Sequence, residues 1–249
     1  MTEILLIKTG DTFPGLKTTH GDFEDLITTC LQHCTVSLSV YDARSNKEQP
    51  NLLNYRGVIL TGSHAMVTAC EPWSESLLPY IRQMHALKIP VFAICYGHQL
   101  VAKALGGEVG FHPLGPEPGT VEVTLTPEGK KDLLLGQAPA SFKVNVAHSQ
   151  TVLKLPLQAL ILAENNFEPH QAFRIGNIWA VQFHPEFNRE ITQYYVRQLS
   201  DEITAQHANV DNIYNNCQDT HASQKLLTAF VENICSLPQT SQQNINTQL

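Results

Sequence analysis

The chain has no dense basic run: its 249 residues carry 16 Lys and Arg against 23 Asp and Glu, a net charge of -7. Without a Lys/Arg cluster to neutralise phosphates, nucleic acid is not an expected partner. Long apolar runs are missing as well. Residues 4–7, 91–95 and 159–163 are the longest, far below the ~18 residues of a membrane-spanning helix, so no membrane is expected. Met1-Thr2-Glu3 places an acid where a secretory leader carries Lys or Arg, and the apolar stretch behind it stops at Lys8. The expectation is a cytoplasmic protein.

Cysteine is sparse and unpatterned. Cys30, Cys34, Cys70, Cys95, Cys217 and Cys235 form no CxxC pair and no Cys/His zinc spacing, which argues against a disulfide framework and a zinc site. Cys30 and Cys34 flank His33 but share an apolar helical face, and His112, His148 and His170 show no ligand spacing, so no metal is assigned. There is no phosphate-binding GxxxxGK[ST] loop, so any ATP-dependent step belongs to another protein. No internal repeat is visible.

What is present is an alternation of β-rich runs and helical patterns. Residues 4–7, 36–40, 58–60 and 91–94 read as strands, and 74–87 reads as a helix with Pro90 just past its end. The apolar set Leu26, Ile27, Cys30, Leu31 and Cys34 has helical spacing. From Thr120 onward Val121, Val123 and Leu125 alternate, and runs at 142–146, 160–163, 172–175 and 178–181 are joined by short turns such as Gly176-Asn177. The predicted architecture is α/β: a mostly parallel central sheet flanked by helices, with an antiparallel extension. Residues 188–199 read as a helix returning to that sheet. Residues 1–200 form the expected main domain. Residues 201–249, with seven Asn, seven Gln and no Gly, are the expected helical extension, apolar only over 225–235 and frayed after Pro238.

Three segments carry candidate chemistry. In the first, an apolar strand runs through Ala93 and Ile94 into Cys95 and then Tyr96-Gly97-His98-Gln99, opening a helical pattern. Small residues two before and two after Cys95 suit a nucleophile elbow, which would lift the thiol to a helix N-terminus that favours the thiolate. The plainer alternative is a buried cysteine at a strand end. His98, one helical turn on, reads as structural. In the second segment, Gln182-Phe183-His184-Pro185-Glu186, proline holds an extended geometry in which Glu186 reaches the His184 ring and fixes its tautomer. A loop histidine beside an exposed acid is the alternative. The third, Leu60-Thr61-Gly62-Ser63-His64, ends a strand in a turn whose backbone N–H could meet an oxyanion beside that of Tyr96.

In this order the three segments resemble the class I glutamine amidotransferases, over roughly residues 4–199, and most of all the stand-alone members similar to the glutaminase domain of GMP synthetase and to γ-glutamyl peptidases. The stretches Ala104-Leu105-Gly106-Gly107 and Glu117-Pro118-Gly119 look similar to theirs as well. The resemblance implies the flavodoxin-like glutaminase fold, Cys95 as nucleophile, His184 as general base and acid, and Glu186 as its orienter. It also implies Gly62 and Tyr96 as oxyanion donors, and Gln99, Ser149 and Gln150 as contacts to the substrate. No cofactor is implied. The substrate is glutamine or a γ-glutamyl compound, with a separate synthetase or acceptor subunit in the glutamine case. Three departures stand out: Ala93 where Gly is usual, Ser63 where Pro is common, and His148-Ser149-Gln150 without the acid of the His-x-Asp pattern. The implied reaction is hydrolysis of the glutamine γ-amide through a Cys95 thioester, releasing ammonia. γ-Glutamyl peptidase activity is the alternative, and a non-catalytic binding or regulatory subunit is the competing class.

Overall fold

A computed structural model describes residues 2–45 and 47–235. Its strands are β1 (Thr2–Lys8), β2 (Val36–Asp42), β3 (Gly57–Leu60), β4 (Val91–Ile94), β5 (Glu108–Phe111), β6 (Glu117–Leu125), β7 (Ser141–His148), β8 (Gln150–Lys154), β9 (Leu160–Glu164), β10 (Ala172–Ile175) and β11 (Ile178–Val181). The helices are α1 (Pro14–His20), α2 (Phe23–Cys30), α3 (Pro72–Ala86), α4 (Tyr96–Ala104), α5 (Pro127–Lys131), α6 (Arg189–Gln198), α7 (Ser200–Ala205), α8 (Val210–Asn216) and α9 (His221–Ala229). A π-helical turn, Phe230–Cys235, follows α9.

Nine strands form one mixed sheet in the order β2-β1-β3-β4-β11-β10-β9-β6-β7. The first five are parallel, and from β11 outward each neighbour is antiparallel. The junction is β11: it lies parallel to β4 and is joined to β10 by the two-residue turn Gly176-Asn177, in which Gly176 takes φ 57°. The parallel strands read as unbroken apolar runs because both sheet faces are covered. Ile4, Leu6, Ile59, Phe92 and Ile94 face one core with α2, α9 and the π-turn, while Leu5, Ile7, Val58, Leu60 and Ala93 face the other with α3 and α4. Leu226, Leu227, Phe230, Val231 and Ile234 belong to the first of these cores, so the C-terminal helices complete the cover of the parallel sheet.

Several elements differ from the sequence reading, the unread helices α1 and α5 among them. A separate antiparallel ribbon, β5 with β8, stands beside the main sheet. Its Phe111 and Leu153 point outward and are exposed, which hides the in/out alternation that marks a strand. The helix expected to extend to Cys34 ends at Cys30, with Leu31 as its cap and a turn beyond. Cys30 and Cys34 pack half-buried against the core. Among the described residues no group of His, Cys, Asp and Glu could hold a metal ion, and no helix is long and apolar enough to cross a membrane. The expectation of a frayed end after Pro238 lies outside the described residues.

Candidate active site

At the end of β4 the chain turns into α4 through Cys95, which takes φ 49°, ψ -96°. A non-glycine residue with positive φ is strained and persists only where its surroundings fix it. Here the Cys95 N–H donates to Val181 O at 2.8 Å, extending the β4–β11 pairing, and the Cys95 carbonyl accepts from Gln99 N. A Cβ on Gly97 would lie 2.8 Å from Leu60 Cβ and 3.2 Å from Leu60 O, so close approach of the helix to β3 requires glycine there. The same built atom would be 3.4 Å from Ala93 Cβ. That is an ordinary van der Waals distance, so Ala93 is tolerated and the constraint on Gly97 comes from Leu60. Tyr96 and Gly97 open α4, where N–H groups have no intrahelical acceptor.

Beyond β11 the chain carries the second motif behind the elbow. Gln182 Nε2 donates to Cys95 Sγ at 3.5 Å, and His184 N donates to Asn145 O on β7 at 2.8 Å. His184 Nδ1 lies 2.8 Å from Glu186 Oε1. The imidazole stacks on Phe187, with ring centroids 4.0 Å apart, and a Cβ on Gly62 would fall 2.8 Å from its Cε1. Thr9 Oγ1 donates to the carbonyls of Thr61 and Gly62, and Ser63 Oγ accepts from Ala65 N, so the turn is closed without proline.

Cys95, His184 and Glu186 are all buried. Burial is the largest influence on His184 and disfavours its charged form. The negative charges of Glu186 and Cys95, with hydrogen bonds to both, outweigh it and raise the ring's pKa to about 10. A protonated imidazole held by a carboxylate beside a cysteine can protonate a leaving group, and its neutral form can take the thiol proton.

Cys95 opens onto a cavity of about 230 Å³, lined also by Tyr96, Gln99, Ser149 and Gln150. Gln99 Nε2 donates to the Gln150 carbonyl at 2.8 Å and to Gln182 Oε1 at 3.0 Å, so it braces the segment expected to meet the substrate. His98 is buried away from the cavity, its Nε2 2.9 Å from His170 O. Motif reading missed Asn145, which holds the His184 backbone and, through Nδ2, Phe187 O. A buried Asn between Val144 and Val146 was its only signal. Also missed as cavity wall were Met66, two residues past the third motif, and Phe13, Tyr195, Leu199 and Glu202, contributed by segments outside every motif.

A family model described as glutamine amidotransferase class-I matches residues 19–200. The glutamine-hydrolyzing GMP synthase of Aeropyrum pernix is 40% identical over 139 residues, 55% of this chain and 25% of that protein. Gamma-glutamyl peptidase 4 of Arabidopsis thaliana is 31% identical over 147 residues, 58% of this chain and 59% of that protein. The match thus spans between a quarter and three fifths of these relatives. A solved glutamine amidotransferase from Thermotoga maritima shares the fold, with a TM-score of 0.75 at 20% identity over 95% of this chain and 99% of that one. The family match runs from α1 to the start of α7 and takes in the elbow and the histidine segment; this chain belongs to the class I glutamine amidotransferase family.

Proposed function

We propose that the chain hydrolyses γ-glutamyl amides, glutamine in the simplest case, through a γ-glutamyl thioester on Cys95. The observation that carries this reading is that Cys95 lines a cavity while His184, buried behind it, is hydrogen-bonded to Cys95 and to Glu186. The Cys95 thiolate attacks the amide carbon and forms the S–C bond, and charge moves to an oxyanion facing the N–H groups of Gly62 and Tyr96. His184 gives its proton to the amide nitrogen, the C–N bond breaks and the amine leaves. Water then adds to the thioester while His184 takes its proton, the S–C bond breaks, and glutamate departs. Glu186 holds the ring; Gln99, Ser149 and Gln150 position the glutamyl part. Glutamine hydrolysis and γ-glutamyl peptidase action, the activities named for the two relatives, share this acyl step.

With glutamine as substrate, the ammonia passes to a separate acceptor enzyme. A second reading, hydrolysis of larger γ-glutamyl amides, is favoured by one observation: the cavity extends past Cys95 to Leu199 and Glu202, room that ammonia does not need. The proposed location is the cytoplasm, where thiols stay reduced; the described residues include all six cysteines, and none is in a disulfide. The test is kcat/KM of the purified chain on glutamine and on a γ-glutamyl dipeptide, with intact-mass detection of a Cys95-linked glutamyl group. Turnover retained in Cys95→Ala would overturn the thioester reading.

A further inference from the structure

The cavity is lined by two unlike sets of side chains. Gln99, His148 and Gln150 are tied to one another by hydrogen bonds. The other set is mainly aromatic and apolar: Phe13, His64, Tyr195 and Leu199, with Glu202 at its end. Phe13 lies 4.2 Å from the His64 ring and 5.1 Å from the Tyr195 ring, centroid to centroid. His64 Nε2 is 2.9 Å from the Tyr195 hydroxyl, which is also 2.8 Å from Thr12 Oγ1. Those bonds hold the rings in place. Tyr195 near the end of α6, Leu199 at its cap and Glu202 in α7 all line the cavity.

This second set adjoins the departing nitrogen. The His184 ring, which would protonate that nitrogen, lies 6.5 Å from the Tyr195 ring, so a leaving amine emerges along these side chains. Glu202 is exposed and makes no ion pair among the described residues. It is the one carboxylate among the described lining residues, which include no Lys or Arg. Burial, with the nearby His184, depresses the His64 pKa, so that ring adds no opposing charge near neutrality. Aromatic faces beside a carboxylate form a setting that attracts an ammonium group.

We propose that Phe13, His64, Tyr195, Leu199 and Glu202 form a leaving-group subsite for an amine with a second, cationic end. On this basis γ-glutamyl amides of diamines are better substrates than γ-glutamyl amino acids, whose own carboxylate would meet Glu202. The inference rests on the Cys95 hydrolysis proposed above. Its overall reaction is amide plus water giving glutamate plus the free diamine, with no further reactant.

The experiment uses the full chain and three amides of equal length: γ-glutamyl putrescine (cationic), γ-glutamyl pentylamide (neutral) and γ-glutamyl γ-aminobutyrate (anionic), with glutamine as a fourth substrate. kcat/KM should fall in the order cationic, neutral, anionic, with about a fivefold span or more between the extremes, as expected for one charge pair close to water. Added salt should narrow that span. Glu202→Gln should flatten the order and Glu202→Lys should reverse it. The same order in wild type and Glu202→Lys, or an anionic preference in wild type, would overturn the subsite. Cys95-dependent turnover of glutamine without charge ordering would remove the subsite alone. No Cys95-dependent turnover of any of the four amides would remove the hydrolase reading with it.

Discussion

Glu117 and His148 face one another across β6 and β7, with the carboxylate Oε2 2.9 Å from the imidazole Nε2. The other ring nitrogen lies 3.0 Å from the Gln150 carbonyl, the same oxygen that accepts from Gln99. Asn165 and Gln171 each donate to Glu117 at 2.8 Å. A segment without an acid of its own is thus anchored by an acid on the neighbouring strand. Glu117→Gln converts a charge-assisted bond to a neutral one, a loss of roughly 1–2 kcal/mol. We expect KM for glutamine to rise about tenfold with a smaller change in kcat. Steady-state kinetics check this; an unchanged KM would mean that Gln99, Thr68 and the pairing with β5 fix Gln150 without this acid.

Within the reacting group, Cys95→Ala should abolish turnover, and His184→Ala should cost roughly 10²–10⁴-fold or more. Glu186→Gln should cost less, since it orients rather than reacts. It should also lower the His184 pKa, because it removes a negative charge that raises it. The sign for stability follows from the raised value. The protonated ring stabilises the fold fully below about pH 6.5, and that contribution is lost as pH rises through about 10. Histidine-ring NMR should find His184 protonated at pH 8 in wild type and losing its proton at lower pH in Glu186→Gln. A neutral ring at pH 8 in wild type would refute the ion-pair arrangement.

The elbow makes a steric prediction. Gly97→Ala places a methyl 2.8 Å from Leu60 Cβ, and overpacking of this kind costs about 1–3 kcal/mol. Leu60→Gly opens a cavity by itself, yet combined with Gly97→Ala it removes the Cβ that the new methyl meets. The two changes should therefore be non-additive by about 0.5 kcal/mol or more in denaturant unfolding. Strict additivity would show that the helix moves away from β3 instead.

Much of this fold was readable because its physics is local. Strands β1, β3 and β4 are covered on both faces and so appear as apolar runs, and β6 alternates visibly because one face is wetter. Cys95, His184 and Glu186 were readable because Ala93, Gly97 and Pro185 impose recognisable backbone geometry around them. The β5–β8 ribbon was not, since its outward Phe111 and Leu153 imitate a core pattern. Nor was the aromatic wall: Phe13, His64 and Tyr195 meet only after α6 returns to the end of β1 and β3, and pairing across so much chain leaves no periodic trace. Asn145 illustrates the same limit, because a polar residue in a strand shows its purpose only once its Nδ2 is seen donating to Phe187 O behind the His184 ring.

The C-terminal helices are part of the core, which gives a stability prediction. Phe230 is fully buried, with its ring 5.5 Å from Phe92 and 6.2 Å from Trp179. Phe230→Ala should cost about 3–5 kcal/mol through lost burial and the cavity left behind. Chemical denaturation measures it; a loss below about 1 kcal/mol would mean that the parallel sheet closes without this segment.

His98 sets the acid limit. It is fully buried against Phe173, donates through Nε2 to His170 O, and has no hydrogen-bond partner for Nδ1 among the described residues. Burial drives its pKa down to about 3, the bond to His170 only partly opposing it. In the unfolded chain the ring takes a proton near pH 6.5, whereas in the folded chain it stays neutral. The unfolded state therefore binds more protons throughout that interval. Stability is complete above about pH 6.5 and is lost as pH falls toward about 3. His64, also depressed by burial, acts in the same direction. Most carboxylates titrate below pH 5, so the change in Tm between pH 6.5 and 5 reports mainly on histidines. His98→Gln keeps a donor for His170 O without a titrating ring, so its Tm should fall less steeply than wild type over that interval. Equal slopes would show that His98 takes up its proton in the folded protein as readily as in the unfolded chain.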